Sequence, residues 1–428
     1  MNRYTSIEYQ TKNNIESYQQ TKLKELLHYL QQNSPYYRKQ FSQYCIVPDI
    51  ITQLEDLKNI PTTSKQNFAE YNDEFLCVPY SKIADYCATS GTTGTPVTVA
   101  LTDNDLKRLA YNEEQSFLIA GCKPTDVFML LLTLDRQFMA GMAYYQGIRK
   151  LGGGVIRSGV VSPQAQWENI QRFKPNVLVA VPSFLLKMIE YANAHQIDCN
   201  SSSVAKVICI GEPVRHADFT PNNLACRIKA HWNVELYSTY ASTEMQTAFT
   251  ECSCGKGGHL RPELMIVEVL DDEGNPVRTG EMGEVTITTL GVEGMPLLRY
   301  RTGDICALYD DTCSCGRNSV RLSPVTGRKN QMIKFKGTTF FPPAIYDALS
   351  QVPQINDYVV EVSKNEMGMD EVMIHISITG NLDIVESQIL STLRAKLRVT
   401  PSIQFTSSSQ LQSLRPKESR KPTMVVFR

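Results

Sequence analysis

Val127-Phe128-Met129-Leu130-Leu131-Leu132-Thr133-Leu134 is an apolar run of strand length. The alternation of segments after it decides the fold. Phe138 to Leu151 reads as a helix stopped by Gly152-Gly153-Gly154, and Val155-Ile156 then begins a short strand. Ser162 to Phe173 predicts a helix with Ser162 as its N-cap and Pro163 in its first position. Asn176 to Val181 is a second apolar strand, and Pro182-Ser183 opens a helix reaching about His195. Val207 to Ile210 is a third strand, ended by Gly211. Strands alternating with helices in this way predict an α/β fold with a largely parallel sheet and helices on both faces.

On either side the pattern changes. Residues 1 to about 80 read as helical and irregular, with Leu23, Leu26, Leu27 and Leu30 forming a stripe at helical spacing. Met265 to Leu270 and Glu284 to Thr289, joined through Asp271 to Pro276, read as antiparallel strands and predict a β-rich subdomain at about 250–320. Beyond Gly327 a small α+β tail is expected. It holds a short helix after Pro342-Pro343 and strands at Tyr358–Val362 and Val372–Ile378. Asp383 is the expected cap of a further helix, and Met424 to Phe427 is a candidate last strand. The predicted division is 1–327 and 328–428.

The chain has 428 residues, 43 Lys and Arg against 44 Asp and Glu, and a hydrophobic fraction of 42%. Such balance gives no global attraction to nucleic acid or to an anionic membrane. The N-terminus is polar, and the longest apolar stretch is too short to span a bilayer. A soluble, cytoplasmic protein with neither nucleic-acid nor membrane partners is expected.

Five local patterns carry chemistry. Ser90-Gly91-Thr92-Thr93-Gly94-Thr95-Pro96 combines turn-forming glycines with hydroxyl donors, a composition suited to phosphate oxygens. It runs into the strand-like Val97 to Leu101, whereas a Walker loop ends in Gly-Lys-Ser/Thr on a helix. Tyr240-Ala241-Ser242-Thr243-Glu244 places a carboxylate beside hydroxyls, as magnesium binding requires. Tyr300-Arg301-Thr302-Gly303-Asp304 offers one carboxylate that can accept both hydroxyls of a ribose. Gly327-Arg328-Lys329-Asn330 lies at the composition break and suits a hinge. Arg415 to Lys421 is a basic end. Taken singly, each has a plain alternative: a Gly/Thr turn, a solvated glutamate, a Gly-Asp turn, a static linker and a basic tail.

In their fixed order these stretches resemble the acyl-adenylate-forming enzymes, and among them the phenylacetate–CoA ligase branch. Gly211-Glu212-Pro213 resembles that family's adenine-side turn. Ser34-Pro-Tyr-Tyr37 and Lys174-Pro175…Val181-Pro182-Ser183 also fit. The resemblance spans about residues 20 to 428. It implies an ATP-dependent carboxylate–CoA ligase that makes an acyl-adenylate and then passes the acyl group to a thiol. It also implies the role of each group. Ser90, Gly91, Thr92, Thr93 and Gly94 would hold the β- and γ-phosphates, and Glu244 the Mg²⁺. Tyr240 and Gly211 would flank the adenine, with Glu212, Ala241, Ser242 and Thr243 alongside. Asp304 would take the ribose, with Arg328 near it. Lys421 would bridge carboxylate and α-phosphate, with Lys417 as its rival, and Asn330 would be the hinge. Phe138, Met142 and Tyr145, at i, i+4 and i+7, would face an aryl or hydrophobic acyl group, core packing being the other reading.

The sequence departs from the family pattern at Thr95 and Asn330, where lysine and aspartate are usual. Ala241 replaces the usual glycine, and Arg420 stands where glycine precedes the catalytic lysine.

Of twelve cysteines, seven lie singly before residue 230 and read as small buried hydrophobes, as does Cys306. Thr250-Glu-Cys252-Ser-Cys254-Gly-Lys-Gly-Gly-His259 and Cys313-Ser-Cys315-Gly316 form two Cys-Ser-Cys-Gly units. Thiolates with an imidazole suit Zn²⁺, and reduced cysteine is the plain alternative. The resemblance selects Cys252, His259, Cys313 and Cys315, with Cys254 as substitute for His259, as a structural zinc site.

The implied small-molecule partners are therefore a carboxylic acid, ATP and coenzyme A, and a homodimer is an allowed assembly. A carrier-protein thiol is the alternative acceptor. A catalytically silent, zinc-stabilised nucleotide-binding protein is the alternative of a different class.

Overall fold

The computed structural model describes residues 6–89, 97–365, 369–415 and 424–428. It divides into two compact units that separate after Val325.

The larger unit is built on a long mixed sheet. Its strands are β1 (Ile83–Ala88), β2 (Thr98–Thr102), β3 (Val127–Leu130), β4 (Gly154–Arg157), β5 (Val177–Ala180), β6 (Lys206–Ile210), β7 (Glu235–Ser242), β8 (Thr247–Glu251), β9 (Gly258–His259), β10 (Met265–Leu270), β11 (Met282–Thr289), β12 (Tyr300–Tyr309) and β13 (Arg321–Leu322). β1 and β2 form a separate antiparallel hairpin. The main sheet runs β10-β11-β12-β13-β9-β8-β7-β6-β5-β3-β4.

The expected α/β part is present. β4, β3, β5, β6 and β7 are parallel throughout. Ser162 caps the helix Pro163–Phe173 by accepting from the Ala165 N–H. Gly152, at φ +97°, ends the helix Met139–Leu151. Phe117, Tyr144 and Ile148 from two helices pack on Phe128, Leu130, Val177 and Val179. The alternate residues Met129, Leu178 and Val207 are equally buried, so both faces of the sheet are covered.

The β-rich segment extends this same sheet. β8 pairs antiparallel with β7, and β9 with β8, so the parallel half passes directly into the antiparallel half. The Val127 run also departs from expectation: the strand stops at Leu130, although the Leu131 N–H still donates to the Val179 carbonyl.

The N-terminal helix Lys12–Asn33 buries Leu23, Leu26, Leu27 and Leu30 as its stripe requires. Tyr37 is the anchor beyond it. Its hydroxyl lies 3.1 Å from Thr63 Oγ1 and accepts from the Leu298 N–H, tying the 61–65 segment to the start of β12.

The smaller unit has the expected α+β make-up. Strands Ile355–Lys364 and Asp370–Ile378 pair antiparallel, and Val425–Phe427 docks parallel on the first of them. The helix Leu382–Leu397 is capped by Asn381, whose Oδ1 accepts from the N–H groups of Asp383 and Ile384, so Asp383 is not the cap. Among the described residues no helix is long and apolar enough to cross a membrane.

Candidate functional site

Two of the sequence motifs meet on neighbouring segments of the larger unit. Tyr240 lies near the end of β7, with its ring stacked on Phe249 of β8 at 5.8 Å. Its hydroxyl donates to Asp304 Oδ2 at 2.8 Å. Burial first, and Asp304 second, hold this phenol well above its ordinary pKa. It therefore stays a donor to the carboxylate across the physiological range.

Asp304 sits inside β12, not on a turn after it. Gly303, at φ +79°, bends the strand there. The bend is fixed by Thr302, whose hydroxyl accepts from the Asp304 N–H and donates to the Val285 carbonyl. Glu284 accepts from the Gly303 N–H and from Arg301, which holds the strand's other side.

Glu244 lies in the turn between β7 and β8 and is buried. The Tyr300 hydroxyl donates to its Oε1 at 3.4 Å, and Lys65 Nζ lies 3.3 Å from the same oxygen. The turn itself is held by Arg108, buried and pushed down to a pKa of about 10 by desolvation. Its guanidinium donates to the carbonyls of Gln246, Leu264 and Leu290 and to Thr247 Oγ1. Neither Lys65 nor Arg108 stands out in the sequence. The Pro61-Thr-Thr-Ser-Lys65 stretch has no charge pattern that singles out its lysine, and a helical arginine reads as solvated.

Gly211 adopts φ +75° at the end of β6, as a tight turn requires. Both carboxylate oxygens of Glu212 accept from Ser183, one from its N–H at 2.8 Å and one from its hydroxyl at 2.9 Å. The Gly211-Glu212-Pro213 turn is thus bound to the start of the helix Pro182–Ala194. Ser242 Oγ accepts from the Met245 N–H, while Ala241 is exposed and Thr243 half-buried. Of the suggested acyl-facing residues, Met142 is exposed, and Phe138 and Tyr145 are half-buried at the edge of the core. The core face of that helix is instead Ala143, Tyr144 and Ile148. Arg328 and Asn330 belong to the smaller unit. Ser90, Gly91, Thr92, Thr93, Gly94 and Lys421 lie outside the described residues, as do Thr95, Lys417 and Arg420.

The cysteine units converge. One ligand atom each from Cys252, His259, Cys313 and Cys315 lies within 4.8 Å of the others. Cys252 Sγ is 3.8 Å from Cys313 Sγ, and Cys315 Sγ is 3.5 Å from His259 Nε2. Cys254 packs beside this group without belonging to it. Hydrogen bonds from Cys252, His259 and Arg317 draw the Cys315 thiol down, the same bond to Cys315 raises Cys252, burial raises Cys313, and burial holds the His259 ring toward its neutral form. A thiolate with a neutral imidazole is the donor state that zinc takes. Arg317 Nη1 donates to Cys315 Sγ and the same guanidinium pairs with buried Glu8, which also binds Arg261. The N-terminal residues around Glu8 therefore close one side of the cluster.

The scattered cysteines are buried at 77, 87, 122, 199 and 209, and Cys306 is buried in β12. Cys45 and Cys226 are exposed, which corrects the expectation for those two.

Residues 41–294 match the AMP-binding enzyme family. The chain belongs to that family. The phenylacetate-coenzyme A ligase of Thermus thermophilus is 28% identical over 370 residues, covering 85% of this chain and 82% of that protein. The phenylacetate-coenzyme A ligase of Escherichia coli is 27% identical, covering 82% and 79%. A crystal structure of 2-hydroxyisobutyryl-CoA ligase in the postadenylation state superposes with a TM-score of 0.85 at 20% identity, covering 99% of this chain and 91% of that one. The expected branch and fold class are both borne out.

Proposed function

We propose that this AMP-binding enzyme is an AMP-forming carboxylate–CoA ligase acting through an acyl-adenylate, with phenylacetate or a related aryl acid as its carboxylate. The phenylacetate-coenzyme A ligases that align along most of its length support the reaction class and the acid. The observation that carries the site assignment is the Tyr240–Asp304 hydrogen bond. It aims one buried carboxylate and places an aromatic ring beside it, as a nucleoside requires.

In the first half-reaction a carboxylate oxygen attacks the α-phosphorus of ATP and pyrophosphate leaves. Two anions meet, so countercharge must be in place as the bond forms. Ser90 to Gly94 supply hydroxyl and backbone donors for the phosphates. Asp304 accepts the ribose hydroxyls, and Arg328 is a further nucleotide-binding residue. Glu244 would hold Mg²⁺ through a buried carboxylate, and the ion would supply positive charge at the phosphates. Lys421 bridges the attacking carboxylate and the α-phosphate, a task suited to a flexible ammonium. In the second half-reaction a thiolate attacks the acyl carbonyl and AMP leaves, after rotation of the smaller unit about Asn330. Phe138, Met142 and Tyr145 line the acyl side.

Cys252, His259, Cys313 and Cys315 would hold one Zn²⁺. Four protein ligands leave no open position, so the ion's role is structural.

Carboxylate-dependent exchange of labelled pyrophosphate into ATP, run over a panel of acids, tests the reading. Exchange stimulated by phenylacetate supports it. Its absence with every acid favours the silent nucleotide-binding alternative. Adding coenzyme A or a carrier protein then separates the two acceptors.

A further inference from the structure

The glycines after Cys252 and Cys254 face a loop from elsewhere in the fold. Gly255 adopts φ +62°, and a Cβ there would sit 2.5 Å from Arg215 Nη2 and 2.8 Å from its Cζ. Gly257 adopts φ +92°, and a Cβ there would sit 2.5 Å from the Leu322 carbonyl oxygen and 3.2 Å from the Phe219 ring. Arg215 and Phe219 both belong to the 211–221 loop that begins with Gly211-Glu212-Pro213.

The same arginine is fixed from its other side. Its Nε pairs at 2.9 Å with Glu251, a carboxylate buried at the end of β8, and its Nη1 donates to the Phe219 carbonyl. The second Glu251 oxygen accepts from the Ser238 N–H at 3.1 Å. Ser238 lies two residues before Tyr240 on β7. The β7–β8 pairing ends at Thr239–Thr250, so the Glu251 carboxylate takes over where that ladder stops. From there β8 turns to β9, and Cys252 is the next residue.

We infer that Arg215 is a positioning residue that couples the Cys/His cluster to the nucleotide side of the site. The cluster fixes the Cys252–Gly258 turn. That turn sets a glycine backbone against Arg215 and Phe219, and a Cβ at Gly255 would push the guanidinium from its place. Arg215 then holds the 211–221 loop and, through Glu251, the β7 segment that carries Tyr240. The inference rests on the nucleotide and zinc assignments proposed above. Energetic coupling between two sites is reciprocal. A zinc-loaded turn that favours ATP binding must itself be stabilised by ATP.

The test measures zinc release from the intact protein to a colorimetric chelator, with and without saturating ATP and no carboxylate. ATP binding is followed separately by calorimetry. In the native protein bound ATP should tighten zinc affinity, read from the extent of release at equilibrium with the chelator, by about five-fold or more. Arg215→Ala and Arg215→Lys should each hold one zinc, lose most of that protection, and raise the KM for ATP more than they lower kcat. Lysine keeps the ion pair with Glu251 and so guards against simple unfolding, but it lacks the flat group that packs on Gly255. Unchanged release in the presence of bound ATP, or full protection persisting in both variants, overturns the coupling. Failure of ATP to bind, or absence of zinc, overturns the underlying assignment and the coupling with it.

Discussion

The Tyr240 hydroxyl donates to the Asp304 carboxylate across 2.8 Å, joining two motifs through residues 64 positions apart. A hydrogen bond to a charged group is worth about 1.5–3 kcal/mol, or about 10- to 100-fold in affinity. Tyr240→Phe removes a bond that aims Asp304 and makes no contact with ATP itself, so it should raise the KM for ATP by less than that factor. Asp304→Asn should weaken ATP binding further, because it removes the charge and turns one of the two acceptor oxygens into a donor. Steady-state kinetics with ATP varied would check both. An unchanged KM in Asp304→Asn would remove the carboxylate from nucleotide binding.

The zinc cluster makes a prediction that separates neighbouring thiols. Cys313→Ser should lose stoichiometric zinc and lower the melting temperature, whereas Cys254→Ser should keep one zinc per chain. Metal analysis of chelator-free protein decides between them. Zinc lost equally from both variants would place Cys254 among the ligands.

Glu113 of the helix Asp103–Ile119 is buried against the helix Met139–Leu151, with no countercharge among the described residues. Asn112 donates to its Oε1 at 2.9 Å, and Gly147 of the facing helix leaves no room above its Cβ. Desolvation raises its pKa to about 8, so the folded state keeps a proton that the unfolded chain releases near the ordinary value of 4.5. Proton binding sets the sign. The protonated form's contribution is fully present below about pH 4.5 and is lost as pH rises through about 8. The loss approaches about 1.4 kcal/mol per pH unit within that window. Melting temperatures from pH 5 to 9 should fall more steeply for the native chain than for Glu113→Gln. Parallel curves would contradict a neutral buried carboxyl.

Lys421 carries the adenylation role in the proposed mechanism. Lys421→Ala should reduce acyl-adenylate formation strongly and spare thioester formation from preformed acyl-adenylate. Lys417→Ala should affect neither to that degree. Separate assays of the two half-reactions measure this, and equal loss of both in Lys421→Ala would speak against the role.

The parallel half of the fold is legible because its signals are local. Apolar runs at Val127, Val177 and Val207 and the Ser162-Pro163 cap each act within a few residues. Asp383 reads as a cap although Asn381, two residues earlier, offers the same chemistry and reaches the first free N–H groups. The continuity of the sheet through β8 and β9 is not legible, since β9 is only Gly258–His259 and its far-side partner β13 comes from distant sequence. The same holds for the site. Tyr240, Glu244, Asp304 and the four metal-ligand candidates announce themselves by motif or spacing. Lys65, Arg108, Arg215 and Glu8 do not, because each acts on groups that only the tertiary fold brings near.

The most direct measurement is the product balance with phenylacetate, ATP, magnesium and coenzyme A. An AMP-forming ligase should give phenylacetyl-CoA, AMP and pyrophosphate in equal amounts, with no thioester when ATP is omitted. Formation of ADP and phosphate in place of AMP and pyrophosphate, or no thioester from any aryl acid, would contradict the account.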